Sequence, residues 1–186
     1  MSNQRVSAFT YKANGIANVL LSEVKVSANK ELFNGAKEEK FNAIWDTGAT
    51  NTAIWSKVVE RCGLIPTGKA ISNTANGQCT VNTYLIDISL PNNVNINRVQ
   101  ATEFTAVEGA DLLIGMDIMS LGDLAISNHE GKTYFSFRIP SIAHTDYVKQ
   151  LNSMNPIHVK KIGRNDPCPC GSGKNINNVA EKENKN

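Results

Sequence analysis

Polar and apolar residues alternate in short runs along most of the chain, which reads as β-structure punctuated by turns. From Asn14 to Asn29, Val19, Leu20, Leu21, Val24 and Val26 alternate imperfectly with Ser22, Glu23, Lys25 and Ser27, predicting a strand. Phe33-Asn34-Gly35 predicts a turn, and the charge run Lys37-Glu38-Glu39-Lys40 a solvated loop. Phe41 to Trp45 reads as a strand apolar on both faces, hence one in the middle of a sheet or core. Thr52 to Cys62 reads as an amphipathic helix with Ile54, Val58, Val59 and Cys62 on one side, ended by Gly63 and Pro66. Ile71 to Val81 centres on Asn76-Gly77, a strong hairpin signal. Strands follow at Val81–Leu90, within Val94–Ala106, and at Leu112–Ile114, then a short helix at Asp117–Leu121. Leu124–Ser127 and Thr133–Phe137 flank His129-Glu130-Gly131-Lys132 as a further hairpin. About eight strands with one or two short helices predict a mainly β fold, a closed or nearly closed barrel. Past Phe137 the composition shifts. Ser141 to Leu151 predicts a helix and Asn152 to Lys161 a linker, before a polar tail.

With 186 residues the chain has room for one domain with a real core plus appendages. A formal net charge of +2 gives no argument for nucleic acid or a membrane surface. Met1-Ser2-Asn3-Gln4-Arg5 leads into no signal-like apolar run, and no stretch approaches a transmembrane helix, so a cytoplasmic protein is expected. Cys62 and Cys79 are isolated and read as reduced thiols. No Ser or Cys stands in a nucleophile context such as G-x-S-x-G, and His129, His144 and His158 are scattered in loop-like sequence.

The candidate chemistry sits where the Phe41–Trp45 run ends in Asp46-Thr47-Gly48-Ala49. A carboxylate at the end of a buried strand must find partners or hold a proton. Downstream, Ala110-Asp111-Leu112-Leu113-Ile114-Gly115-Met116-Asp117 is a second apolar strand closed by glycine. Together, in this order and with the Asn76-Gly77 hairpin between them, the two motifs resemble those of the retropepsin-like aspartic proteases, over roughly Asn14 to Phe137.

That resemblance implies an aspartic endopeptidase. Peptide hydrolysis of this type needs two adjacent carboxylates sharing one proton, one as base on water and one as acid to the scissile carbonyl. The chain holds a single Asp-Thr-Gly, so the resemblance implies a homodimer that brings two copies of Asp46 together on a two-fold axis. By position, Asp46 is the catalytic carboxylate, and Thr47, Gly48, Ala49 and Gly115 support its loop. Ala75, Asn76, Gly77 and Gln78 form a flap over a polypeptide substrate. Ala49 stands where other members carry Ser, and Thr50 and Met116 where retroviral members carry Asp and Arg, which places the chain nearer the cellular and bacterial branch. No cofactor is implied for catalysis.

Gly163-Arg164-Asn165-Asp166-Pro167-Cys168-Pro169-Cys170-Gly171-Ser172-Gly173-Lys174 resembles the zinc-binding SEC-C motif. Cys168 and Cys170 match two zinc ligands, but Val179 and Ala180 stand where the other two are expected, so the metal site is incomplete within one chain. A tail without zinc, zinc shared between two tails, and ligands supplied by a partner protein remain alternatives. The expected layout is a protease domain over 1–138, a helix and linker over 139–162, and a degenerate SEC-C tail over 163–186. The competing reading is a catalytically inactive dimeric barrel serving as a protein-binding module or adaptor.

Overall fold

The computed structural model describes residues 6–74, 77–104, 109–154, 163, 166 and 167. Two compact units divide the chain, Met1–Ala143 and His144–Asn186. In the second unit the described helix is α3 (Tyr147–Met154), with Tyr147, Val148 and Leu151 exposed. It starts later than the predicted Ser141–Leu151 span.

The first unit is mainly β. Its strands are β1 (Ser7–Lys12), β2 (Leu21–Ala28), β3 (Glu39–Trp45), β4 (Ala53–Trp55), β5 (Gly68–Thr74), β6 (Gly77–Leu90), β7 (Val94–Phe104), β8 (Leu112–Ile114), β9 (Asp123–His129) and β10 (Lys132–Ile139). Its helices are α1 (Ser56–Cys62) and α2 (Met116–Met119), with a 3-10 turn at Pro91–Asn93. The larger sheet runs β2-β3-β8-β4-β7-β6, and β2 also pairs with β6, so these six strands close into a barrel. β5 hangs on β6 outside the ring.

The alternation read in the sequence fills this barrel. Val24 and Val26 of β2 point inward, as do Tyr84, Ile86 and Ile88 of β6, all at most 2% exposed. β3 corrects the expectation of two covered faces. Phe41, Ala43 and Trp45 are buried, while Asn42 is exposed and Ile44 half-buried, so it is an alternating strand.

A second sheet, β1-β10-β9, packs its apolar face onto the barrel. Phe9, Phe135 and Phe137 surround Trp45, with ring centroids 5.8, 5.5 and 5.2 Å from it. The β9–β10 turn carries Glu130 and Gly131 at φ 50° and 71°, the paired positive φ of a tight type I′ hairpin.

Two elements depart from the sequence reading. Ala53–Trp55 is strand rather than the first turn of a helix, because it pairs in parallel with β7 and antiparallel with β8. The helix begins at Ser56 and ends, as expected, at Gly63, whose φ of 61° suits glycine. β1 lies N-terminal to the predicted first strand, and residues 13–20 are not strand. Only Phe9 of β1 is buried, so no hydrophobic period marks it.

Candidate active site

Asp46 follows the last residue of β3, and the ladder carries through to it: its N–H donates to the Ile114 carbonyl at 3.0 Å, continuing the parallel β3–β8 pairing. Two ladder neighbours thus bring the ends of the two sequence motifs side by side. The side chain is half-buried, whereas Thr47 and Gly48 are exposed and Ala49 half-buried. The loop turns back on its own carboxylate. Gly48 N–H donates to Asp46 Oδ1 at 2.9 Å, and Ala49 N–H to the Asp46 carbonyl at 3.1 Å. A Cβ on Gly48 would lie 3.2 Å from Oδ1, so glycine gives the carboxylate close access to this donor.

The far side of the loop is clamped to α2. Met116 N–H donates to the Ala49 carbonyl (2.9 Å) and Asp117 N–H to the Thr50 carbonyl (3.1 Å). The Asp117 carboxylate in return accepts from Thr52 N–H and Thr52 Oγ1, each at 2.9 Å. Thr52 Oγ1 also accepts from Gly115 N–H at 3.3 Å. Thr52 is fully buried, so these are the bonds that satisfy it. Gly115 is required by space rather than by backbone angle. A Cβ there would lie 2.6 Å from the Asn51 carbonyl carbon and 2.8 Å from its oxygen.

At the other end of the β3–β8 ladder, Asp111 accepts from Asn42 N–H (3.0 Å) and Lys57 Nζ (2.7 Å), tying β3, the approach to β8, and α1 together. Trp45, next to Asp46, donates its indole N–H to Ser22 Oγ at 2.9 Å. Thr52, Asp111 and Lys57 were not singled out in the sequence. The signal for Thr52 and Asp111 is polar residues set among apolar positions, which the fold buries and must therefore pair; Lys57 is exposed and reaches Asp111 from the surface. Asp117 thus holds both the backbone and the hydroxyl of Thr52.

The predicted flap falls on β5 and β6. Thr74 pairs with Gly77, which has φ 108° and, with Gln78, is exposed. Ala75 and Asn76 lie outside the described residues, as do Cys168 and Cys170. β6 then runs on to Leu90, so the second arm of the hairpin and the separate Val81–Leu90 strand of the sequence reading are one element. A cleft of about 440 Å³ opens behind the loop, lined by Asn51, Asp117, Thr83 and Arg98 among others but not by Asp46. Cys62 is buried, and burial pushes its thiol up to about 11, which removes it as a nucleophile. Among the described residues no three metal-binding side chains cluster, and no helix is long and apolar enough to cross a membrane.

Residues 32–120 match the family described as "gag-polyprotein putative aspartyl protease", and residues 164–175 match the SEC-C motif. The aspartyl-protease match includes both Asp46 and Gly115. No curated protein matches the chain. Similar solved structures include a retropepsin-like aspartic protease from Rickettsia conorii, 9% identical, covering 74% of this chain and 98% of that one with a TM-score of 0.45. The protease of Simian Foamy Virus (mac) is 16% identical, covering 53% and 89% of the two chains with a TM-score of 0.37. The retroviral protease-like domain of Ddi1 from Leishmania major is 18% identical, covering 58% and 82% with a TM-score of 0.36.

Proposed function

We propose that the protein is an aspartic endopeptidase whose catalytic dyad is formed by Asp46 from two copies of the chain. The observation that carries this reading is the single half-buried carboxylate at the end of β3, gripped by Gly48 N–H and backed by Gly115, within a segment of aspartyl-protease type. One carboxylate cannot both activate water and protonate a leaving group, so a second must come from a partner. Two such groups in contact share a proton, because both cannot ionise cheaply.

In this reading one Asp46 draws the proton from the attacking water while the other, protonated, donates to the scissile carbonyl. Thr47 and Ala49 hold the loop on the axis. The β5–β6 hairpin closes over an extended polypeptide, with Ala75, Asn76, Gly77 and Gln78 at its tip. Catalysis takes no cofactor. The protein works in the cytoplasm. Its protease domain occupies residues 1–138, and residues 139–162 join it to a tail that recruits a partner protein, with zinc at Cys168 and Cys170 only if further ligands come from outside one chain.

The test is digestion of a denatured-extract peptide library by the wild-type protein and by Asp46→Asn across a range of pH. Cleavage by the wild type alone is expected, with cut sites reporting specificity. Equal cleavage by both overturns the assignment. Cleavage by neither, with both proteins dimeric, favours the binding-module reading.

A further inference from the structure

The cleft behind the Asp46 loop holds about 440 Å³, within the range of ligand sites, and none of Asp46 to Ala49 lines it. One of its walls is β7. That strand pairs with β6 along one edge, whereas β4 covers the other edge only at Thr102–Phe104. Ile96 to Gln100 line the cleft, and no described strand lies along that edge beside them. Thr102 N–H points across this edge and donates to the Thr52 carbonyl at 3.1 Å. Residues two apart in a strand present their backbone groups to the same side, so Gln100 turns its N–H and carbonyl to the open edge. A bulge marks the same stretch. Ile86 faces Val99 and Ile88 faces Ile96, so Asp87 alone opposes Asn97 and Arg98. Arg98 takes φ 61°, a left-handed backbone that few non-glycine residues adopt, and Asp87 Oδ1 holds it by accepting its N–H at 3.0 Å.

A second observation points to an occupant. Thr83, opposite Thr102 on β6, lines the cleft and is 2% exposed, yet its hydroxyl has no hydrogen-bond partner among the described residues. Buried hydroxyls are normally paired. The rest of the polar lining is neutral. Asn51, Asn97 and Gln100 carry amides, each able to donate and to accept. The two charged residues of the cleft are already engaged, Asp117 by Thr52 and Arg98 by Glu31 at 2.9 Å. Leu121, 45% exposed, adds an apolar contact.

An open strand edge set among neutral amides matches an extended polypeptide, whose backbone repeats one donor and one acceptor per residue. We propose that this cleft binds a segment of the polypeptide substrate remote from the bond that is cut. The segment pairs its backbone with the β7 edge at Gln100, is uncharged where it meets Asn51 and Asn97, and sets an aliphatic side chain on Leu121. This rests on the aspartic-endopeptidase reading and names what that enzyme selects: long unfolded chains over short peptides. The bulge keeps the paired stretch short, so the amide side chains carry much of the recognition. Asp117, which lines the cleft, also braces the Asp46 loop through Thr52, so the cleft and the loop share a wall.

The test uses the full chain carrying Asp46→Asn, which removes cutting, with peptides from a denatured cell extract as the probe. Mass spectrometry identifies bound peptides, and backbone amide exchange locates them on the protein. Protection is expected along Ile96–Thr102 and Ile118–Leu121 as well as at the Asp46 loop. Gln100→Pro removes the edge donor at a position where a strand tolerates proline, and Leu121→Asp charges the apolar contact. Ile65→Lys, at an exposed site outside the cleft, is the control. Circular dichroism checks that each variant folds, and either cleft variant alone suffices. Each is expected to weaken binding by about tenfold or more, and the control to leave it unchanged. With Asp46 restored, the cleft variants are expected to raise KM on an unfolded protein by a similar factor and to leave KM and kcat on a short peptide spanning one cut site unchanged. Binding at full strength by the cleft variants, no bound peptide at all, or protection confined to the Asp46 loop and the β5–β6 hairpin overturns the proposal and leaves the dyad standing. Equal losses on long and short substrates mean that the variants act through the loop, which also overturns it. Cleft protection in a protein that, with Asp46 restored, cuts nothing overturns the endopeptidase reading and the substrate role with it, while the cleft remains a polypeptide site.

Discussion

Replacing Asp117 by Ala should loosen the Asp46 loop without touching it. The carboxylate accepts two bonds from Thr52, N–H and Oγ1, each at 2.9 Å. Thr52 is fully buried, so its N–H finds no water when the acceptor goes, and an unmade buried donor costs about 1–3 kcal/mol. The hydroxyl suffers less, since it still accepts from Gly115 N–H and can turn its proton; that loss is about 1 kcal/mol. Asp117 itself is half-exposed, and solvent screening keeps the sum in the lower part of a range of about 2–4 kcal/mol. For a unit spanning residues 1–143, about 3 kcal/mol corresponds to a fall in Tm of roughly 6–12 °C. Asp117→Asn keeps an acceptor for Thr52 N–H and should lose less than half of this. The assay is thermal unfolding of the three proteins alongside kcat/KM on one peptide. Activity should fall further than the unfolded fraction explains, because Asn51 and Thr50 are released with Thr52. An Asp117→Ala protein that melts within a degree or two of wild type would refute the reasoning.

Three further outcomes follow from the same geometry. Gly115→Ala sets a methyl against the Asn51 carbonyl, which cannot move without moving the loop, so we expect either no folded protein or at least a tenfold loss of kcat/KM; wild-type kinetics would contradict this. Ala49→Ser offers the dyad an added hydroxyl donor, which favours its charged form, so the acid limb of the pH–rate profile should move to lower pH, and an unmoved limb would count against it. Burial of Asp87 alone would raise its pKa, but donors from Lys30 N–H, Arg98 N–H and the Asn29 amide together hold it below the usual range. Its contribution to stability is then complete above the ordinary aspartate pKa of about 3.9 and is lost as pH falls through the depressed value. Chemical denaturation of Asp87→Asn between about pH 5 and 3 should show a shallower loss of stability than wild type, and parallel slopes would dismiss the idea.

What the sequence revealed was what local chemistry dictates. The Asp46-Thr47-Gly48 turn, the glycine after β8, the Asn76-Gly77 hairpin region and the Gly63 helix stop each depend on a residue type that few alternatives replace. β4 was missed because three residues are too few to display a period, and its strand character comes from β7 and β8 on either side. β1 was missed because its ladder with β10, rather than its side chains, defines it. The Thr52–Asp117 brace spans 65 positions in sequence, so the pairing follows from barrel closure and not from either residue's neighbours. Asp111 is the same case. Its bonds to Asn42 and Lys57 exist only once β3, β8 and α1 are assembled.

The central claim is that activity belongs to a pair of Asp46 residues. Its most direct test is to titrate Asp46→Asn into a fixed amount of wild-type protein, allow the chains to exchange, and follow peptide cleavage. With equal amounts and random pairing, about one quarter of the dimers keep both carboxylates, so the rate per wild-type chain should fall by about half. A rate per wild-type chain unchanged at every ratio, with exchange verified by mass, would mean that each chain acts alone and would contradict the account.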